Sequence, residues 1–245
     1  MGGGGVRGFF HMGLVAGLQN QGIDINEITG TSIGAIVALI YASNPNNDFK
    51  KITQELDFFK LMKTLVGGMG KNSEKEIESF LKNYIKAENF EELKIKTRIN
   101  PTDINERKEV VFDSGKIFPA VIASMSVPGV FPPLKYQEKY LVDGGISNNV
   151  PIDLIEESDR IIVSDISGPI KKVDEKTLST DILYSAFAIM QQNLSWEKAK
   201  KMKNKKIVRI DLNDDKTFIL DFRKNNYQYL FDMGYSSVSD IKNKL

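Results

Sequence analysis

The 245 residues carry 33 Lys and Arg against 32 Asp and Glu, and a formal charge of +1 gives no field to steer the chain towards nucleic acid. Apolar content of 41% and charged content of 27% exclude disorder as the dominant state and supply material for a core. No cysteine and a single histidine, His11, exclude disulfide scaffolds, thiolate nucleophiles and Cys-ligated metals.

In chain order, Gly8 to Gln21 reads as a helix, with Phe10, Leu14, Val15 and Leu18 as its apolar face and Gly22 as its stop. An extended piece, Ile25 to Thr29, leads into Gly30-Thr31-Ser32-Ile33-Gly34. Ala35 to Ala42 then reads as a helix buried on most faces. Ser73-Glu74-Lys75-Glu76 is a capping box that opens a helix to about Lys86. Lys94 to Phe112 predicts two strands around a turn at Asn105-Glu106-Arg107, and Tyr140 to Val142 another strand. Arg160 to Ile166 and Ile207 to Leu212 read as strands, and Thr180 to Lys203 and Lys224 to Lys242 as helices. With no repeat and no linker, residues 1–245 are expected to form one α/β domain on a largely parallel sheet.

Three glycine-bearing motifs carry the chemistry. Gly2-Gly3-Gly4-Gly5-Val6-Arg7-Gly8 opens a helix, and consecutive glycines there can aim several N–H groups at one anion, a phosphate or a tetrahedral oxyanion. Gly3, Gly5 and Gly8 also satisfy Gly-x-Gly-x-x-Gly, with Glu27 near the place of a ribose-binding acid; that nucleotide reading needs a strand before the glycines, and only Met1 precedes them. Gly30-Thr31-Ser32-Ile33-Gly34 fits a nucleophile elbow. Its glycines relieve crowding at a strand–turn–helix bend, and Ile33 N–H would be an oxyanion donor; the plain alternative is a Ser N-cap. No histidine follows Ser32, and His11, one turn into the first helix, is expected to pack rather than to act as base. A carboxylate acting directly on the serine is the remaining arrangement. Tyr140-Leu141-Val142-Asp143-Gly144-Gly145 places an acid at a strand end, where active sites collect; alone it would read as an Asp-Gly turn.

Together these segments, with Ala123-Ser124 through Pro128, Phe131, Pro132 and Pro133, and with Asn148-Asn149-Val150-Pro151, resemble the patatin-like phospholipase family from Gly3 to about Ser167. The resemblance implies a three-layer α/β/α fold and hydrolysis of acyl esters of lipids by a Ser–Asp dyad. Ser32 then matches the nucleophile and Asp143 the general base, and Gly4 and Gly5, with Gly3 and Arg7 beside them, match the oxyanion loop. No metal or cofactor is implied. In similar proteins an apolar strand precedes the glycine loop. Here the sequence opens on the loop, so the expectation is a sheet lacking its first strand, and a catalytically impaired binding module is the alternative function.

Phe49, Ile52, Leu56 and Phe59 form a helical stripe, and Leu61, Met62, Leu65, Val66 and Met69 continue it towards Gly67-Gly68 and Gly70. The stripe is expected to pack on the core, with a hinged cover touching a membrane as the functional alternative. Lys198 to Lys206 carries six lysines in nine residues, expected as a solvated face rather than an anionic-lipid contact. No run reaches the roughly 18 apolar residues of a membrane span, and Met1 to Gly8 has no signal-peptide core. The expected setting is cytoplasmic, with transient contact at a membrane surface, a lipid or other acyl ester as substrate and no nucleic-acid partner.

Overall fold

Strand and helix segments that alternate in the sequence are layered against one another in the computed structural model, which describes residues 1–67, 73–169, 174–175, 178–202, 204–214, 216–217, 223–239 and 241–244. The helices are α1 (Gly8–Asn20), α2 (Ile33–Ser43), α3 (Phe49–Glu55), α4 (Phe58–Gly67), α5 (Ser73–Leu81), α6 (Ile117–Ser124), α7 (Gly145–Asn148), α8 (Ser179–Lys200), α9 (Lys224–Ser236) and α10 (Ile241–Lys244). The strands are β1 (Glu27–Gly30), β2 (Lys96–Ile99), β3 (Thr102–Asp103), β4 (Lys108–Glu109), β5 (Leu134–Tyr136), β6 (Lys139–Val142), β7 (Arg160–Asp165) and β8 (Lys206–Asp211).

Parallel pairing joins β1 to β2, with Gly30 opposite Ile99, and β7 to β8, with Arg160 opposite Lys206. A four-stranded antiparallel sheet, in the order β4-β3-β6-β5, carries Asp143 at its edge. The sheet structure is therefore parallel in part, less so than the sequence predicts. The expected turn at Asn105 to Arg107 is present, with Arg107 in the left-handed region at φ 56. The strand before it is broken at Pro101, which offers no N–H to a ladder. Two further differences concern helices. Residues 117–124 form α6, buried nearly all round, whose eight residues are too few for periodicity to separate helix from strand. The helix expected to Lys242 stops at Ser236, and α10 resumes at Ile241.

Between β1 and β7 there is no direct ladder. Residues 1–2 bridge them at one end: Met1 donates its terminal amine to Thr29 O at 2.8 Å and accepts from Thr31 N–H, while Gly2 N–H donates to Ser164 O at 3.0 Å. Beyond that bridge lies a cavity of about 600 Å³ lined by Leu14, Ile28, Val150, Ile152, Ile161 and Val163 among others. The gap separates the two parallel pairs, β1–β2 and β7–β8.

The core is built on α2, whose eleven residues are all buried, and on α1. Glycine lets α1 and α9 touch backbone to backbone. A Cβ at Gly13 would come within 1.9 Å of Phe231 O, and one at Gly234 within 2.0 Å of Phe10 O. Phe49, Leu56, Leu61 and Met62 are buried in the same core, as the packing reading of that stripe expects, while Phe59 is half exposed. Gly68, Met69 and Gly70 of the proposed hinge lie outside the described residues, as does Lys203. Lys198 pairs with Glu109 at 2.8 Å and Asp153 at 3.3 Å, and Lys205 donates to Ile155 O and Glu156 O, so these lysines tie elements together rather than only face water. Among the described residues no helix is long and apolar enough to cross a membrane.

Candidate active site

The bend from β1 into α2 must pass from extended to helical backbone within one residue. Ser32 makes that turn at φ 55, ψ −124, a conformation that a residue with a side chain adopts only under constraint. The glycines on either side are required by proximity. A Cβ at Gly30 would stand 2.4 Å from Gly34 O, and one at Gly34 would stand 2.5 Å from Met1 O. Ser32 N–H donates to Ser124 Oγ at 2.9 Å, which holds the bend from outside. Ile33 begins α2, so its N–H falls in the turn that has no intrahelical acceptor.

The glycine segment lies against this bend. Gly3 is close enough that a Cβ on it would be 3.1 Å from Ser32 Cβ and 2.7 Å from Asn149 Oδ1. Gly3 N–H donates to Asn149 O at 3.1 Å, and Asn149 Nδ2 donates back to Gly3 O at 3.3 Å. Gly5 turns in the left-handed region at φ 58 and opens a short 3-10 turn, Gly5–Arg7, that runs into α1. Arg7 is buried and directed away from the loop's open side: it donates to Thr217 O at 3.1 Å and to the carbonyls of Ile166 and Ser167.

His11 sits behind the loop. Gly2 O can only accept, so Nε2 carries the proton and donates to it at 2.8 Å, and Nδ1 accepts from Ser164 Oγ at 2.7 Å. Burial, then the nearby terminal amine, pushes its pKa down to about 3, only partly opposed by the Gly2 bond. It is a neutral pin whose two ring nitrogens are both engaged away from Ser32.

Asp143 follows β6, with its N–H bonded to Ser126 O at 2.9 Å. One carboxylate oxygen, Oδ1, accepts from Gly145 N–H at 2.7 Å. The other, Oδ2, is buried and has no hydrogen bond of ordinary length among the described residues. Burial raises the pKa to about 6, partly offset by the Ser32 hydroxyl and the Gly145 amide. The Ser32 hydroxyl is therefore within reach of the carboxyl and favours its charged form.

Three polar residues support this pair, two of which no motif revealed. Asn100 accepts from Thr31 Oγ1 at 2.6 Å and donates to Asn148 O at 2.9 Å, and a Cβ at Gly144 would strike Asn100 O at 1.6 Å. It thus touches the neighbours of both Ser32 and Asp143. Ser124 holds the elbow. From the far side, Gln191 on α8 donates to Gly145 O at 3.0 Å. Asn100 and Gln191 are reached only by tertiary packing, across 69 and 46 residues of chain, and no local signal marks them. Ser124 stood in a segment already singled out for its prolines.

Glu27, the acid of the nucleotide reading, is buried and committed. It accepts from Arg98 Nη1 and from the N–H groups of Glu156 at 3.1 Å and Glu157 at 3.0 Å. Nothing of it is left for a ribose. Among the described residues no group of three or more His, Asp and Glu side chains is gathered as metal ligands would be.

The geometry is an α/β serine elbow with a buried carboxylate beside it and a glycine loop above. A family model for patatin-like phospholipases matches residues 1–155, and the chain belongs to that family. An uncharacterized NTE family protein of Mycobacterium tuberculosis is 30% identical over 156 residues, covering 62% of this chain and 43% of the relative. Lysophospholipase NTE1 of Meyerozyma guilliermondii is 28% identical, covering 72% of this chain and 13% of the relative. The chain thus spans less than half the length of these curated relatives. The crystal structure of VipD from Legionella pneumophila superposes with a TM-score of 0.47 at 13% identity, covering 98% of this chain and 65% of the other.

Proposed function

We propose that this chain is a lipid acyl hydrolase that cleaves carboxylic esters through Ser32 and Asp143. The observation that carries the reading is the pairing of a strained Ser32 with a buried Asp143 that accepts only one backbone amide besides the influence of the Ser32 hydroxyl and whose pKa is raised to about 6. A carboxylate with a spare lone pair and a pKa near neutrality can take a hydroxyl proton; one saturated with donors cannot.

Ser32 Oγ attacks the ester carbonyl carbon as its proton passes to Asp143 Oδ2, and the carbonyl π pair moves onto oxygen. In this reading N–H groups of Gly4, Gly5 and Ile33 hold that oxyanion, with Gly3 setting the loop's distance from Ser32. Collapse of the intermediate expels the alcohol, which takes the proton from Asp143, and leaves an acyl-serine. Water then attacks the acyl carbon with Asp143 again as base, and the fatty acid and free serine are released. Every proton taken is returned, so the cycle needs no metal or cofactor. The Arg7 guanidinium acts as a brace for the loop, and substrate contact by its side chain is not part of this reading. The bonds from Arg7 and His11 to residues 164–167 and 217 support treating residues 1–245 as one domain.

A fluorophosphonate probe tests the reading, because only an activated serine reacts with it. Labelling of the parent protein and none of a folded Ser32→Ala protein, with matching loss of p-nitrophenyl ester turnover, is expected. Equal turnover by Ser32→Ala would remove Ser32 from the mechanism. A parent protein that neither labels nor turns over ester would favour the impaired binding module.

A further inference from the structure

The inner and outer faces of α8 differ in kind. Helical spacing places Ile182, Leu183, Ala186, Ile189 and Met190 on one exposed arc, with Leu183 at 73% and Met190 at 68% exposure. The same arc, continued towards the C-terminus, mixes exposed Leu194 with Asn193 and Glu197 and ends in exposed Lys200, which pairs with Glu197 at 2.6 Å, and Lys201. The opposite side carries Gln191 and Lys198, which bind Gly145 O and Glu109. This helix therefore joins the loop that follows Asp143 on one side and offers unpaired apolar area on the other.

Leaving a Leu and a Met this exposed forgoes the stabilisation that burial of such side chains ordinarily brings, so a cover is implied. Its chemistry follows from the surroundings. The arc lies on the outer side of a single helix and is apolar chiefly in its first three turns, with exposed Leu194 and Trp196 beyond them, unlike the concave groove that seats a peptide helix. It grades into cations, which suits anionic headgroups beyond an apolar layer. Across the thickness of one helix, about 10–12 Å, lies the carboxylate of a phospholipase-family site.

We propose that the outer face of α8 formed by Ile182, Leu183, Ile189 and Met190 is the surface by which the protein docks on a lipid bilayer, seating the Ser32–Asp143 site at the membrane. The inference rests on the acyl-hydrolase reading for its choice of partner. It places the membrane contact not on the 49–69 segment, the alternative reading of that stripe, whose described apolar residues are mostly buried, but on a helix beyond the family model.

Docking is measured on Ser32→Ala protein, so that it does not depend on turnover, by co-sedimentation with vesicles of phosphatidylcholine containing 30% phosphatidylglycerol. The Leu183→Gln/Met190→Gln variant keeps helix propensity and changes only exposed side chains. It is expected to lower the vesicle-bound fraction at least about fivefold. In the Ser32 background the same pair should leave turnover of a soluble short-chain ester within about twofold while reducing turnover of vesicle lipid. A smaller drop in binding, or no binding by the parent, overturns the proposal. So does a parent protein that is dimeric without lipid and becomes monomeric in the variant, since the face would then belong to a second copy. Failure of docking with soluble-ester turnover intact leaves the dyad standing; docking without any turnover separates the two readings the other way.

Discussion

Two carboxylates, Glu27 and Asp143, are both buried, and they are treated in opposite ways. Burial alone would raise both. At Glu27 that push is outweighed by the N–H groups of Glu156 and Glu157 and by Arg98, and its pKa falls below the ordinary value. At Asp143 a single amide and the Ser32 hydroxyl are too few donors, and its pKa rises to about 6. A buried acid given enough donors becomes an anchor; one left short of them becomes a base. The difference lies in what surrounds each acid: two N–H groups and a guanidinium at Glu27, one amide and a hydroxyl at Asp143.

The largest effect should come from cutting the base. Asp143→Asn should lower kcat/KM by about 10²–10⁴-fold, since a carboxamide cannot accept the serine proton. The same change should stabilise the fold. A folded-state pKa raised from 3.8 to about 6 means that Asp143 charges at a cost as pH rises through that window. Removing the cost should raise stability at pH 7 by on the order of 2 kcal/mol, a gain absent below about pH 4. Denaturant melts of parent and variant at pH 4 and pH 7 check it, and a variant less stable at both values would show that Oδ2 is satisfied after all.

Glu27→Gln should do the reverse. It leaves Arg98 buried with Glu156 and Asp113, both more exposed, as its remaining acids, and should cost about 3 kcal/mol while sparing kcat. Urea midpoints together with kcat on the folded fraction separate the two acids cleanly. Next in size is the rate profile. The acidic limb of kcat/KM should centre near pH 6 and should not move in His11→Asn, because the histidine stays neutral to about pH 3. A limb that vanishes in His11→Asn would put the histidine in the relay. That variant should also lose about 1–2 kcal/mol, as asparagine cannot span Gly2 O and Ser164 together.

The smallest effect concerns the gap between β1 and β7. Adding about five or six β-prone apolar residues ahead of Met1 should raise Tm by a few degrees and activity with it. The added strand would fill the cavity and turn a buried amine, whose pKa burial depresses to about 5, into an amide. An unchanged or lower Tm would mean that the cavity cannot admit a strand.

Ser32, Asp143 and the glycine segment were legible in the sequence because their constraints are local: a tight bend and close backbone contact each demand glycine at a fixed offset. Asn100, Gln191 and the Glu27–Arg98 pair were not, since each depends on what a distant segment brings alongside. The same holds for the fold. Long periodic helices such as α1 and α8 fall close to their predicted bounds, whereas α6, apolar on every side, and β3, cut short after Pro101, depend on tertiary context. The outer face of α8 is not legible in the sequence, because the pattern predicts a helix there without saying which side the fold leaves exposed.

Arg7 and His11 give the molecule a property that likeness of sequence does not reveal. The family model matches residues 1–155, yet the carbonyls and hydroxyl that hold the glycine segment belong to Ser164, Ile166, Ser167 and Thr217. The recognisable portion is therefore not portable: grafted elsewhere or cut at its apparent border, it would retain every signature residue and lose the clamp that keeps them in place. Residues outside the family model hold its signature segment in place.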